Sequence, residues 1–293
     1  MYPSIKRSNK LRQKLDLYGI EHLSASALNE YITDPAKWVL RYILKHKGDG
    51  PSLWRGRAIE NAMKNCVLSN MAGSEYEIES AVETGFRVFE ESEKDFLIAR
   101  GGEIPSLYSE RRDKEISYIE PSIRAGYSYF KEIPSAIFQK KFEFDLGVEI
   151  PAIGYLDFLT PGKIIELKTA KSFPSELKDS VRRQVALQCK ALSLPAEIIY
   201  LGKPTKNKSH EGFRKFEIPA SDIESLVDDY RMAARAIRRL LMNTDSVEEI
   251  IEFVFRITTI SFGTTKKSKS QNSTGSLRHE SIPNIQRKNQ DIR

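Results

Sequence analysis

Hydrophobic residues recur every three to four positions along much of the first 135 residues, and this helical period predicts four helices. The predicted helices cover residues 24–46, 53–69, 76–98 and about 105–132. Ser24 or Ser26 is expected to cap the first of them, because a hydroxyl oxygen accepts a hydrogen bond from a free backbone N–H group. The step from Asp34 to Pro35 should interrupt this helix, which restarts with proline in its first turn.

The pattern changes near residue 136 to an alternation rich in β-branched and aromatic residues, which is typical of strands. The predicted elements are strands at 138–145, 152–159 and 163–168, a helix at 174–193, strands at 197–203 and 213–219, a helix at 220–242 and a short helix at 245–255. This order predicts an α/β fold, in which a central mixed β-sheet of about five strands is flanked by helices and preceded by a helical part.

The same patterns divide the chain into an arm, one domain and a tail. The expected bounds are 1–20 for the arm, 21–255 for the domain (a helical part at 21–135, then the sheet and its helices at 136–255) and 256–293 for the tail. The tail is rich in Ser, Asn, Gln and Lys and poor in large aliphatic residues, so it is predicted to be disordered and basic. Residues 264–293 account for +5 of the net charge of +6, and the domain itself is therefore nearly neutral. Net charge alone is thus weak evidence that the domain binds nucleic acid.

Composition excludes several classes of protein. A hydrophobic fraction of 40% and a charged fraction of 29% over 293 residues fit a soluble globular protein. No apolar run is long enough for a membrane span, and the first residues lack the apolar core of a secretory signal, so no membrane partner and a cytoplasmic location are expected. Cys66 and Cys189 are the only cysteines, which excludes a disulfide framework, a zinc ribbon and a four-cysteine iron–sulfur cluster.

The segment 154–171 carries the candidate chemistry. Thr160-Pro161-Gly162-Lys163 is typical of a tight turn, since proline and glycine suit its two central positions. If Thr160 faces Lys163, then Asp157 lies opposite Glu166, and Lys168 shares their face of the hairpin. Two opposed carboxylates repel each other, and a divalent cation held between them would remove the conflict. The alternative is a surface hairpin with a salt-linked acidic cluster; in either case the opposite face, with Leu156, Phe158, Ile165 and Leu167, is a core face.

Two predicted helices place polar residues on otherwise apolar stripes. One stripe comprises Leu177, Val181, Gln184, Gln188 and Ala191, and the other comprises Gly56, Glu60, Met63 and Val67. A glutamine or glutamate on a core-facing stripe needs a partner. A phosphate or a metal-bound water near the sheet would supply one, and a structural hydrogen bond or ion pair would serve equally well.

In this order and context, Glu60, Asp157, Glu166-Leu167-Lys168 and Gln184 resemble the motifs of the PD-(D/E)xK nucleases, above all the RecB-like and lambda-type phage exonuclease branch. Residues 22–43 and 54–63 are also similar to that branch. The resemblance implies a restriction-endonuclease-like core and hydrolysis of DNA phosphodiester bonds with Mg²⁺ or Mn²⁺. It implies Glu60, Asp157 and Glu166 as metal ligands, Lys168 as the catalytic lysine, and Gln184 as a contact to the phosphate or the attacking water.

The sequence also departs from the family pattern. Many relatives carry histidine where Glu60 stands, Gln188 occupies the tyrosine position of the Q-x-x-x-Y motif, and the cysteines of the iron–sulfur members are missing, so no iron–sulfur cluster is expected. The candidate DNA contacts are Ser24, Ser26, Arg55, Lys171, Lys178, Arg182, Arg183 and Gln188, with capping or a solvated surface as the alternative reading.

The function expected from the resemblance is that of a metal-dependent DNA exonuclease of phage-type recombination and repair, located in the bacterial host cell if a phage encodes it. Its expected partners are duplex DNA ends, a single-strand annealing protein and further copies of the chain. Three alternatives remain open: a structure-selective endonuclease, a catalytically silent DNA-end-binding protein, and an interaction subunit of a larger repair complex.

Overall fold

A five-stranded mixed β-sheet flanked by helices forms the centre of the computed structural model, which describes residues 10–46, 48–102, 104–204, 211–244 and 246–254. The strands are β1 (Ile137–Phe144), β2 (Ala152–Thr160), β3 (Lys163–Ala170), β4 (Ala196–Gly202) and β5 (Phe213–Glu217). The predicted fold class is therefore confirmed. The predicted tail at 256–293 lies outside the described residues.

The strands follow chain order across the sheet. The first three form an antiparallel meander, β4 runs parallel to β3, and β5 pairs antiparallel with β4 at the edge. A parallel neighbour needs a crossover, and the helix between β3 and β4 supplies it. That helix therefore packs on the sheet close to the segment with the candidate chemistry.

Helices cover both faces of this sheet. They are α1 (Lys10–Leu17), α2 (Ala25–Thr33), α3 (Pro35–Trp38), α4 (Pro51–Met71), α5 (Ile78–Ala99), α6 (Tyr108–Ile116), α7 (Ile119–Lys131), α8 (Asp179–Leu192) and α9 (Ile223–Asn243), with a π-helical turn at Val39–Ile43, a 3₁₀ turn at Ala220–Asp222 and a final helical segment at 247–254. None of the helices among the described residues is both long enough and apolar enough to cross a bilayer.

Two hydrophobic clusters lie on opposite sides of the sheet. The first joins α1, α2, α8 and α9 to the face that carries Ile164, Ile198 and Tyr200. The second joins α4, α5 and α7 to the face that carries Ile165, Leu167, Ile199 and Leu201. The sheet is thus the middle of three layers, and each strand can present side chains to both helical layers.

Several predicted elements are confirmed, and three differ. The interruption at Asp34 is present, and its side chain caps α3 by accepting from the backbone N–H of Lys37 at 3.0 Å. The predicted helix over 105–132 is wrong as one element, because Ser117 and Tyr118 separate α6 from α7. The helix predicted from 174 begins at Asp179, so Leu177 precedes it and the stripe starts at Val181. Helix α1 lies in the segment that the sequence predicted to be an arm.

The predicted hairpin register is confirmed at the turn. Thr160 pairs with Lys163, Leu159 with Ile164 and Phe158 with Ile165. Gly162 has a φ of 94°, a conformation that glycine adopts without the cost that a side chain imposes. Continued by one residue, this register places Asp157 opposite Glu166, beyond the last paired residues.

The core face of the hairpin is only partly as predicted. Phe158, Ile165 and Leu167 belong to the cluster under α4 and α7, whereas Leu156 belongs to the cluster under α8 and α9. Leu156 and Phe158 are two residues apart on β2 and would face the same side of a regular strand. The residue between them, Asp157, lies where the β1–β2 ladder is interrupted, because its pairing with Gln139 is missing. Side chains on the two sides of this interruption pack into different layers.

Candidate active site

Asp157 lies where β2 and β3 separate. Its Oδ2 accepts a hydrogen bond from the backbone N–H of Leu167 at 2.8 Å, a group that would otherwise face β2 without a partner. A side-chain carboxylate therefore takes the place of the next rung of the ladder. This contact fixes the aspartate beside the segment that carries Glu166 and Lys168.

Glu166 is almost fully enclosed, with 1% of its surface exposed. Its Oε1 accepts from the Lys168 ammonium at 2.5 Å and from the Gln184 amide at 2.6 Å. Its Oε2 accepts from the Gln188 amide at 2.7 Å. The β3 strand and the crossover helix α8 together supply these donors, and they replace the water that burial excludes.

Lys168 is held on two sides. Besides the ion pair with Glu166, its Nζ donates to the Gln184 Oε1 at 3.0 Å. Burial acts to lower the pKa of Lys168, but the negative charges of Glu166 and Asp157 outweigh it, and the pKa is raised. The side chain is therefore an ammonium at neutral pH.

Glu60 reaches the same region from the opposite helical layer. It lies on α4, which packs against β3 so that a Cβ atom at Gly56 would lie 3.9 Å from the Thr169 hydroxyl, an ordinary contact. Its Oε1 accepts from the side-chain amide of Gln139 at 2.6 Å. No sequence pattern distinguishes Gln139, which is one of several polar residues in a predicted strand.

The three carboxylates influence one another. Burial raises the pKa of Asp157 well above its ordinary value, and the charges of Glu166 and Glu60 raise it further. Burial also raises the pKa of Glu60; the Gln139 hydrogen bond opposes this shift, and the charge of Glu166 adds to it. Among the described residues, Lys168 acts on all three carboxylates and Lys64 acts on Glu60, so negative charge in the cluster exceeds positive charge.

The chemistry of these donors fits a hard divalent cation. Mg²⁺ and Mn²⁺ prefer carboxylate oxygens, and Mg²⁺ is commonly held by only one or two carboxylates from the protein. Among the described residues, no group of three or more His, Cys, Asp and Glu side chains is arranged to hold a metal ion. The three expected ligands, Glu60, Asp157 and Glu166, are thus not assembled as a metal site among the described residues. Asp157 and Glu166, which influence each other's charge, are the candidate pair of ligands.

Two of the expected DNA contacts, Gln188 and Arg55, are buried and bonded to protein groups. Gln188 is 1% exposed and its amide is engaged by Glu166. Arg55 is 7% exposed; it pairs with Glu115, donates to Thr169 and lies over the ring of Tyr118. Helical periodicity identifies which face a residue occupies but does not say whether a neighbouring element covers that face.

The other expected DNA contacts differ in their surroundings. Ser24 caps α2 by accepting from the Ala27 N–H, and its hydroxyl lies 2.9 Å from that of Ser26. Lys171 pairs with Glu115, and Arg182 pairs with Asp179 and Asp222. Arg183 is buried against Asn29 and Asp229. Lys178 is exposed and forms no ion pair within the described ranges.

Comparisons with known proteins add little to this geometry. No family model matches the chain, and no curated protein sequence matches it significantly. Solved structures that are similar to it include the crystal structure of SSO0001, which is 17% identical over 59% of this chain and 84% of that chain, with a TM-score of 0.28. A TM-score this low carries no argument about fold or function.

Proposed function

We propose that this protein is a metal-dependent deoxyribonuclease that hydrolyses phosphodiester bonds and acts as an exonuclease on duplex ends. The observation that supports this most directly is the cluster of Asp157, Glu166 and Lys168 at the open end of the β2–β3 hairpin. Buried acids that raise one another's pKa beside an ammonium are costly to fold and are typical of sites with a chemical task.

Asp157 and Glu166 would hold the cation, and Glu60 would join them once it is bound. Bound there, Mg²⁺ or Mn²⁺ would supply Lewis-acid polarisation of a phosphate and a water of lowered pKa. The carboxylates would contribute hard oxygen ligands, and their mutual repulsion would be relieved by the added positive charge. The fit rests on this donor chemistry and on the charge deficit of the cluster.

Lys168 supplies the group that faces the reacting phosphate in this proposal. Its ammonium is held between Glu166 and Gln184, so it is oriented before substrate arrives. A fixed positive charge stabilises the negative charge that develops on a phosphate during hydrolysis. Gln184 orients this ammonium and Glu166 together, because its amide oxygen accepts from one and its amide nitrogen donates to the other.

Duplex or single-stranded DNA would be attracted by cations on the helices that supply the site. Lys64, half-buried over the Phe138 ring, follows Glu60 by one helical turn and interacts with its charge, and the exposed Lys178 stands at the start of α8. Contacts of this kind are made to phosphates and carry little sequence information. We therefore expect weak sequence preference.

Digestion of linear and covalently closed circular duplex DNA, in Mg²⁺, in Mn²⁺ and in EDTA, tests the proposal. We expect metal-dependent release of nucleotides from linear DNA, lowered about 100-fold or more by Asp157→Asn and by Lys168→Met. Glu90→Gln, which alters an exposed carboxylate on α5, is the matched control and should leave the rate unchanged.

Each other outcome of this assay contradicts a stated part of the proposal. Cutting of closed circles would replace the exonuclease with an endonuclease. DNA binding without cleavage, unaffected by Asp157→Asn, would replace the enzyme with a binding protein. Cleavage that persists in EDTA would remove the metal from the mechanism.

A further inference from the structure

Gln139 has an unusual backbone conformation at a position next to the candidate site. Its φ is 49°, which lies in the left-handed region that residues with a side chain rarely adopt. It is also the only residue between Ile137 and Phe144 that has no partner in the described β1–β2 pairing. The residue it would face is Asp157.

The side chain of Gln139 is engaged despite its exposed position. Its amide nitrogen donates to the Oε1 of Glu60 at 2.6 Å, which ties β1 to α4. Within the described residues, the Oε2 of Glu60 accepts no hydrogen bond. The glutamine therefore fixes one oxygen of this carboxylate and leaves the other available.

The strain and the hydrogen bond occur together at one residue. A left-handed conformation costs about 1 kcal/mol or more for a residue with a side chain, and glycine or asparagine would adopt it at lower cost. Gly162, in the neighbouring turn between β2 and β3, shows that glycine does occupy a position of positive φ in this sheet. Glutamine at position 139 therefore destabilises the local backbone conformation, but its side chain is long enough to reach Glu60.

We propose that Gln139 is a positioning residue for Glu60: the interrupted ladder and the left-handed backbone direct its amide to one carboxylate oxygen. The other oxygen is left free for a divalent cation bound by Asp157 and Glu166, so that Glu60 completes a set of ligands that is not assembled beforehand among the described residues. This inference rests on the proposed function. A hydrogen bond to the distal oxygen of a ligating carboxylate is the usual way in which a protein orients such a ligand, and its loss typically weakens metal affinity 10- to 100-fold.

Calorimetric titration of the full-length protein with Mn²⁺, together with thermal unfolding in EDTA, tests this role. Gln139→Gly and Gln139→Asn remove the reach to Glu60 and relieve the backbone. We expect Mn²⁺ affinity to fall about 10-fold, while the unfolding temperature without metal stays the same or rises. Lys141→Ala, an exposed substitution two residues further along β1, is the control and should change neither quantity.

A double-mutant cycle with Glu60→Gln separates positioning from a general structural effect. If Gln139 acts through Glu60, then Gln139→Gly causes no further loss of Mn²⁺ affinity once Glu60 is replaced. Additive losses, a lower unfolding temperature of both Gln139 variants, or unchanged or tighter Mn²⁺ binding would each overturn the inference.

The same titration distinguishes this failure from failure of the proposed function. If the unmodified protein binds Mn²⁺ and Asp157→Asn abolishes the binding, but the Gln139 variants bind normally, only the positioning role is lost. If the unmodified protein binds no Mn²⁺, the proposed metal site is lost and the inference falls with it.

Discussion

At the scale of single residues, the burial of Glu166 determines what its neighbours must be. A carboxylate that is 1% exposed needs donors from the protein, and Lys168, Gln184 and Gln188 provide them. Gln188 does so at a cost, because its own Oε1 is buried without a hydrogen-bond partner in the described structure. In the proposed resemblance to the PD-(D/E)xK nucleases, this is the tyrosine position of the Q-x-x-x-Y motif. The Gln188 amide instead donates to the buried Glu166 carboxylate. Its contact in this structure is therefore with the protein interior and not with the surface that DNA would meet.

Replacing Asp157 is expected to change the thermal stability of the protein. Burial and the charges of Glu166 and Glu60 disfavour its ionised form. Asp157→Asn keeps an oxygen that can accept from the Leu167 N–H and removes the conflict. In EDTA we expect the unfolding temperature to rise by about 2–4 °C, the shift that about 1 kcal/mol produces in a domain of this size. In excess Mg²⁺ the substitution should remove the metal-dependent rise that the unmodified protein shows. Thermal unfolding in both buffers measures this, and a lower unfolding temperature in EDTA would contradict it.

At the scale of elements, local signals explain the features that could be predicted from sequence. The Pro-Gly turn fixed the β2–β3 register, and with it the proximity of Asp157 to Glu166 and Lys168, because turn geometry is set by four adjacent residues. The interruption at Asp34 and the cap at Ser24 were likewise predictable from neighbouring residues.

Features that depend on distant partners could not be predicted in this way. Helix α8 begins late, and the backbone carbonyls of Pro174 and Ser175 before it accept from Arg214 on β5. The interrupted β1–β2 ladder moves Leu156 into the other core cluster, and no local pattern marks Gln139 as the cause. The burial of Arg55 depends on Glu115, sixty positions along the chain.

Glu197 links three elements, and its contribution to the free energy of unfolding is expected to depend on pH. Burial acts to raise the pKa of Glu197, but hydrogen bonds from Lys163 on β3, Tyr129 on α7 and Lys215 on β5 outweigh it and lower the pKa to about 2. Since the folded state favours the ionised form, this group stabilises the fold fully above its ordinary pKa, and the contribution declines as the pH falls from about 4.5 towards 2. Glu197→Gln should therefore reduce the free energy of unfolding by about 1–2 kcal/mol at pH 7, and by less at pH 3.

Urea unfolding of the two proteins at pH 7 and pH 3 measures this difference. Glu217→Gln is the matched control, because Glu217 is an exposed glutamate on β5 whose contact to Lys215 is longer, at 3.6 Å. A destabilisation by Glu197→Gln that is the same at both pH values would show that the effect comes from lost packing and not from charge.

At the scale of the whole molecule, the candidate site draws on all three layers. The sheet carries Asp157, Glu166 and Lys168, the layer of α4 carries Glu60, and α8 in the opposite layer carries Gln184 and Gln188. The site lies where β2 and β3 separate, which lets side chains from both helical layers approach the same strands. Its geometry therefore depends on the packing of both hydrophobic clusters against the sheet.

Variants of helix α1 would show whether this helix also stabilises the packing on which the site depends. The sequence predicted an arm at 1–20, yet Leu15 on α1 is fully buried in the cluster that also contains α8 and α9, whereas Leu17 on the same helix is 71% exposed. If α1 is part of the folded unit, Leu15→Ala leaves a cavity in that cluster and should lower the free energy of unfolding by about 2–5 kcal/mol, while Leu17→Ala changes it by less than about 0.5 kcal/mol. Urea unfolding monitored by tryptophan fluorescence and by circular dichroism measures both variants. Equal free energies of unfolding for the two variants would mean that α1 is an appendage, as predicted from the sequence. A large, cooperative loss of stability for Leu15→Ala would mean that α1 stabilises the layer that contains α8. That layer holds Gln184 and Gln188 against Glu166.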